Sequence, residues 1–217
     1  MRQSIVALAS WGLAHYWPGC YGSNYDVFGG ANLQNSCSEP QFVSDFNPTN
    51  QTVPSRLSGK VFNFENCAVY PPSGNYGGDF TFAAWVNPQT LSNPVQNFIG
   101  WDLGTTNSLE IGLASDGTVR VFTIGNAINQ VFSSTSIPVG KWSFLAVTLS
   151  AESVAIYIDG ALDKQGNFPG SKSLIHTAIQ LGGVGANSLS AAMAEIKLFG
   201  RALSAPEIGR EMKNVYC

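Results

Sequence analysis

The stretch AAMAEIKLFGRALSAPEI, residues 191–208, decides the fold. It reads as a strand over 194–199, a tight turn and the start of a short helix. Ser204-Ala205-Pro206-Glu207 is a capping box with proline in the first turn, so the helix is expected over 204–214. The functional question lies at Ala194 and Glu195. Neighbours on a strand face opposite ways, so Glu195 is not expected to share the face of Ala194 unless a bulge intervenes.

Upstream, strand signals recur about every ten residues between Gly, Pro, Asn and Asp. They are LAHYWP (13–18), KVFNFEN (60–66), DFTFAAWVNP (79–88), KWSFLAVTLS (141–150) and IQLGG (179–183). In the third, Phe80, Phe82, Ala84 and Val86 share one face, and Thr81, Ala83 and Trp85 the other. A run apolar on both faces suits a strand inside a two-layer sandwich. Two hairpins are expected, turning at Asp116-Gly117 (109–124) and Asp159-Gly160 (153–165), with positive φ at both turn residues. No βα alternation, heptad or repeat competes. The sequence predicts an all-β, two-sheet antiparallel sandwich of about a dozen strands with a short C-terminal helix, as one domain.

Composition bounds the partners. Charged residues are 12% of the 217, about half the usual share, and the net charge is −3. Nothing electrostatic favours nucleic acid or an anionic membrane surface, and no stretch approaches the ~20 apolar residues of a membrane span. A polar, weakly charged surface suits extracellular proteins that contact sugars or pack in assemblies.

The four cysteines lie outside CxxC pairs and the two histidines are far apart, which disfavours zinc. An even count favours two disulfides and an oxidising compartment. Three pairings are open; Cys37–Cys67 with Cys20–Cys217 is preferred because the second would tie the chain ends together. MRQSIVALASWGLA at the start resembles a short signal peptide. Asn50-Gln51-Thr52 is a glycosylation sequon in a polar stretch, which adds to the expectation of secretion.

DFTFAAWVNPQ, IPVGKWSFLAVTLSAESVAIYIDGAL, IQLGG and AEIKLFGRALSAPEI occur in that order. Together they resemble the laminin-G-like/pentraxin-like branch of the concanavalin A-like lectin/glucanase superfamily, over about residues 12–210 of a single domain spanning 1–217. The resemblance implies a jelly roll and an extracellular, usually non-catalytic domain that binds glycans or proteins. It also implies a calcium ion in many members, between an early loop Asp and an Asp just before the final strand. Asp26 matches the first; the second position is Ala194. A two-carboxylate calcium site is therefore not expected, and any calcium would rest on Asp26.

The retaining glucanases of this fold need two glutamates on one strand face, ~5 Å apart. None of the seven glutamates pairs with another across an intervening Asp in that way, so no catalytic residue is assigned. Sugars stack on aromatic rings and bond to Asn and Asp. Tyr70 and Trp101 fall near expected loops, while Trp85, Trp101 and Trp142, like tryptophans on strands generally, also fit the core. YPPSGNYGG (70–78) and GCYGSNYD (19–26) make Tyr21, Asn24, Tyr25, Asn75 and Tyr76 the candidate ligand-binding residues. Two alternatives remain open at this point. One is a structural subunit of an extracellular filament, coat or matrix, self-assembling through an edge such as NAINQVFSSTSIP (126–138). The other is a carbohydrate-active enzyme of the same fold.

Overall fold

Alternating hydrophobic runs build two sheets. The computed structural model describes residues 13–17, 34–35, 41–43, 61–71, 78–101, 108–123, 129–169, 178–183 and 185–214. In chain order the strands are β1 (Leu13–Trp17), β2 (Gln34–Asn35), β3 (Gln41–Val43), β4 (Val61–Glu65), β5 (Ala68–Tyr70), β6 (Phe80–Pro88), β7 (Val95–Trp101) and β8 (Leu109–Ala114). They continue as β9 (Thr118–Thr123), β10 (Asn129–Ser136), β11 (Ser143–Ser150), β12 (Ser153–Ile158), β13 (Ala161–Asn167), β14 (Ile179–Gly182) and β15 (Ser190–Phe199). A helix, α1 (Ala205–Lys213), follows β15.

All pairings are antiparallel. One sheet has the order β13-β12-β11-β6-β15-β4-β3, with β1 also on β15; the other has the order β10-β9-β8-β7-β14-β5-β2. The inner faces meet in one core. Phe80, Phe82, Ala84 and Val86 point into it, as the alternation predicts, against Phe98, Ile111, Val121 and Leu181 of the other sheet. Each such large side chain contributes roughly 1.5–3 kcal/mol by leaving water. The tryptophans assigned to the core are there: Trp85 and Trp142 are buried, and so is Trp101, which lies on β7 and not in a loop.

The two Asp-Gly hairpins differ. Asp159 and Gly160 have φ of +51° and +79°, and Ile158 pairs directly with Ala161, as expected of a two-residue loop. At the other turn only Gly117 has positive φ, at +80°, and its N–H donates to the Ala114 carbonyl. This is a longer loop that ends in a left-handed glycine, so Asp116 needs no positive φ there. The Asp116 carboxylate instead accepts from Thr118 N–H and Oγ1, which holds its pKa below the usual carboxylate value.

The last strand begins four residues earlier than the sequence suggests. β15 runs from Ser190, so Ala194 lies mid-strand, 1% exposed beneath apolar neighbours, and not just before the strand. β6 lines one side of β15; β4 pairs with its first half and β1 with its second. Between Ala194 and Lys197 the register with β6 shifts, and Glu195 takes φ +54°. This bulge corrects the expectation that Glu195 faces away from Ala194. The extra residue lets Glu195 join Ala194 and Lys197 on the outer face.

Over that face lies α1, whose Ile208, with Leu203 just before the helix, joins Ala83, Ala146, Ala155 and Ala194 in one apolar cluster. Its N-cap is as predicted. Ser204 N–H and Oγ both donate to Glu207 Oε2, at 2.8 and 2.7 Å.

Candidate functional site

Two sets of polar side chains interrupt the apolar pattern of the sheets. The first sits under α1. Tyr16 OH donates to both oxygens of Glu195 at 2.9 Å. Lys197 Nζ donates to Glu211 Oε2 at 2.9 Å and to the Asn214 carbonyl at 2.8 Å, and lies 3.7 Å from Glu195 Oε2. Glu195, Lys197 and Glu211 are each 1% exposed. Each of these groups already has a protein partner. They anchor the helix.

The second set lies on the outer face of the seven-stranded sheet. Ile99, Ile111, Val121 and Leu181 face the core, so their strand neighbours face outward. Two cross-strand rows result. In the first, Phe132 on β10 pairs with Arg120 on β9, Arg120 with Gly112 on β8, and Gly112 with Asn97 on β7. In the second, Phe122 pairs with Glu110, Glu110 with Gly100, and Gly100 with Gln180. Gly112 and Gly100 stand on adjacent strands and carry no side chain. They leave a floor without side chains between Arg120 and Phe122 on one side and Asn97 and Gln180 on the other.

The polar groups around this floor are underused. Asn97 is fully buried, yet neither Oδ1 nor Nδ2 has a hydrogen-bond partner among the described residues. Leaving a buried polar group unpaired costs about 1–3 kcal/mol. Its amide lies over Gly112: a Cβ there would sit 2.9 Å from Asn97 Oδ1 and would also collide with the Gln96 carbonyl. Arg120 is half-buried with its guanidinium carbon 3.9 Å from the centre of the Phe122 ring. Neither the Arg120 nor the Glu110 side chain makes a hydrogen bond or ion pair among the described residues. Burial lowers the Arg120 pKa, and the Glu110 charge opposes that shift. Gln180 donates through Nε2 to the Gly182 carbonyl at 3.0 Å, which leaves Oε1 to accept.

A flat apolar ring, an adjacent guanidinium, a carboxylate and two amides around a glycine floor match the equatorial hydroxyls and the C–H face of a pyranose. Two other unpaired atoms, Trp85 Nε1 and Asn87 Oδ1, lie on the outer face of the other sheet. Their cross-strand neighbours Phe144, Ala194 and Ala192 offer a polar ligand nothing further.

The binding residues expected from sequence, Tyr21, Asn24, Tyr25, Asn75 and Tyr76, lie outside the described residues, as do Asp26, Asn50, Cys20, Cys37 and Cys217. Cys67 is buried and disulfide-bonded, with its partner also outside them. Tyr70 is half-buried on β5. Among the described residues no group of three or more His, Cys, Asp or Glu could hold a metal ion, and no helix is long and apolar enough to cross a membrane. The stretch 126–138 does supply an edge strand, β10. However, Ser134 N–H donates to the Asp163 carboxylate of β13, so the two sheets close against each other along this side.

Comparison with known proteins agrees with this architecture. A family model described as concanavalin A-like lectin/glucanases superfamily matches residues 65–209, about two thirds of the chain. No curated protein sequence matches. Among solved structures, domain 4 of AbnA, an extracellular GH43 arabinanase from Geobacillus stearothermophilus in complex with arabinotriose, is similar with a TM-score of 0.73 at 16% identity. The match covers 93% of this chain and 98% of that one. A botulinum neurotoxin type C structure, described as dependent on two ganglioside molecules for cell entry, gives 0.73 at 14% identity, covering 98% of this chain and 53% of that one. Trypanosoma rangeli sialidase gives 0.65 at 16% identity, covering 94% of this chain and 33% of that one. The chain thus spans about half the toxin chain and a third of the sialidase. At these identities the likeness is one of fold.

Proposed function

Because the chain belongs to the concanavalin A-like lectin/glucanase superfamily, we propose that it is a non-catalytic, secreted recognition domain that binds glycan through the outer face of its seven-stranded sheet. The observation that carries this reading is Asn97, buried with both amide atoms unpaired beside Gly112, Arg120 and Phe122. A sugar hydroxyl can both donate to Oδ1 and accept from Nδ2, and so offset the cost of burying the amide. The neighbours described as binding arabinotriose or gangliosides, on the same fold, support a carbohydrate ligand.

The non-catalytic part of the reading is supported by the glutamates of β15 and α1. Glu195 and Glu211 are sealed beside Lys197, and Glu207 is held by Arg201. Secretion is supported by the disulfide at Cys67 and the low charge.

The test is a titration of the isotopically labelled chain with neutral and acidic oligosaccharides. The expected result is amide shifts centred on Gly100, Gly112 and Asn97, and their loss in Phe122→Ala. Shifts confined to another surface would refute the site. Turnover of any of these sugars would refute the non-catalytic assignment.

A further inference from the structure

We infer that the ligand of this face is a carboxylated pyranoside, with its carboxylate on Arg120; this rests on the glycan-binding reading above. Arg120 is the sole cation on the two outward rows, and its position is fixed. Its strand neighbours face the core, Gly112 beside it gives no cover, and Phe122 supports its planar face at 3.9 Å. Support on one face leaves the N–H edges of the fork for a ligand, and none of them donates within the protein among the described residues. A guanidinium fork matches a carboxylate bidentately, with better geometry than it offers a single hydroxyl.

Glu110 has the opposite consequence. It is close enough to influence Arg120 electrostatically but forms no ion pair with it. An internal Arg–Glu pair would have occupied the fork; here the arginine charge is balanced at a distance and the fork is left open. Glu110 accepts hydrogen bonds only, so beside Phe122 and Gly100 it suits the hydroxyls of the same ring and repels a second carboxylate. The face therefore favours one acid group per sugar, at the Arg120 end, and hydroxyls towards Glu110, Gln180 and Asn97. Phe132, 39% exposed beside Arg120, extends the apolar surface past the acid.

Uronates and sialates share this chemistry, and the experiment separates them. Isothermal titration would compare an oligogalacturonate with its methyl ester, and a sialyllactose with lactose. At least one acid is expected to bind about tenfold or more tightly than its neutral counterpart, as a charge-assisted hydrogen bond requires. Its affinity should fall with added salt, and Arg120→Gln should erase the preference while leaving the thermal transition in place. Arg120→Lys should restore only part of it, because the ammonium lacks the fork. Equal affinity for acid and neutral forms, or an acid preference that survives Arg120→Gln, overturns this inference and leaves glycan binding intact if Phe122→Ala still abolishes it. Failure of every saccharide to bind overturns both readings.

Discussion

Lys197 Nζ donates to Glu211 Oε2 at 2.9 Å, and this bond ties the middle of the last strand to the last turn of the helix. The Asn214 carbonyl at the helix C-terminus accepts from the same nitrogen. A cation there also suits the negative end of the helix dipole. Glu195 reaches this cluster only because the bulge turns it to the outer face, where Tyr16 OH spans both its oxygens. The stretch in which Ala194 replaces a calcium carboxylate therefore serves helix docking.

Lys197→Met should accordingly leave two carboxylates buried without their cation. The expected cost is about 3–5 kcal/mol in urea denaturation, the usual penalty for breaking a buried pair from one side. Lys197→Met combined with Glu195→Gln and Glu211→Gln should recover much of it, since the uncompensated charge is gone. A single substitution costing under about 1 kcal/mol would mean that the apolar seat of α1 holds the helix without the ions.

The pair Arg201–Glu207 should dominate a different measurement. Arg201 grips Glu207 with both nitrogens, at 2.6 and 3.1 Å, and Ser204 adds two donors. Chiefly through Arg201, the Glu207 pKa falls from 4.5 to about 2. The unfolded carboxylate takes up its proton first, so the stabilisation is complete above pH 4.5 and is lost as pH falls from there to about 2. Urea midpoints measured across that window should decline in the native chain and decline less steeply in Arg201→Met. Parallel slopes in the two proteins would show that other carboxylates carry the acid sensitivity.

Local signals were legible in the sequence. The alternation of β6, the Asp159-Gly160 turn and the capping box at Ser204 each involve residues a few positions apart, and each stands where it was read. What was not legible depends on distant pairing or on one residue's torsion. The polar Gln96 and Asn97, with a register shift before Ile99, break the period of β7, which hid that strand. No glycine marks the bulge at Glu195, so the face change there had no sequence signature. Arg120, Gly112 and Asn97 come from three strands and meet only through β-pairing, whereas composition points to Tyr- and Asn-rich loops. A charged residue within the apolar alternation of VRVF, opposite the glycine of EIGL, was the available clue.

Asn97 separates a structural from a functional account of that face. A buried amide without partners is a burden on the folded state, so Asn97→Leu, similar in shape and without polar atoms, should raise stability by about 1–3 kcal/mol. If the amide serves a ligand, the same substitution should remove sugar-induced shifts at Gly112 and Gly100. Gain in stability together with loss of binding is the pattern of a residue kept for recognition at the expense of the fold. Thermal melts and titration of the single variant read both quantities. A loss of stability would show that Asn97 is held by the fold, and unaltered binding would place the ligand elsewhere.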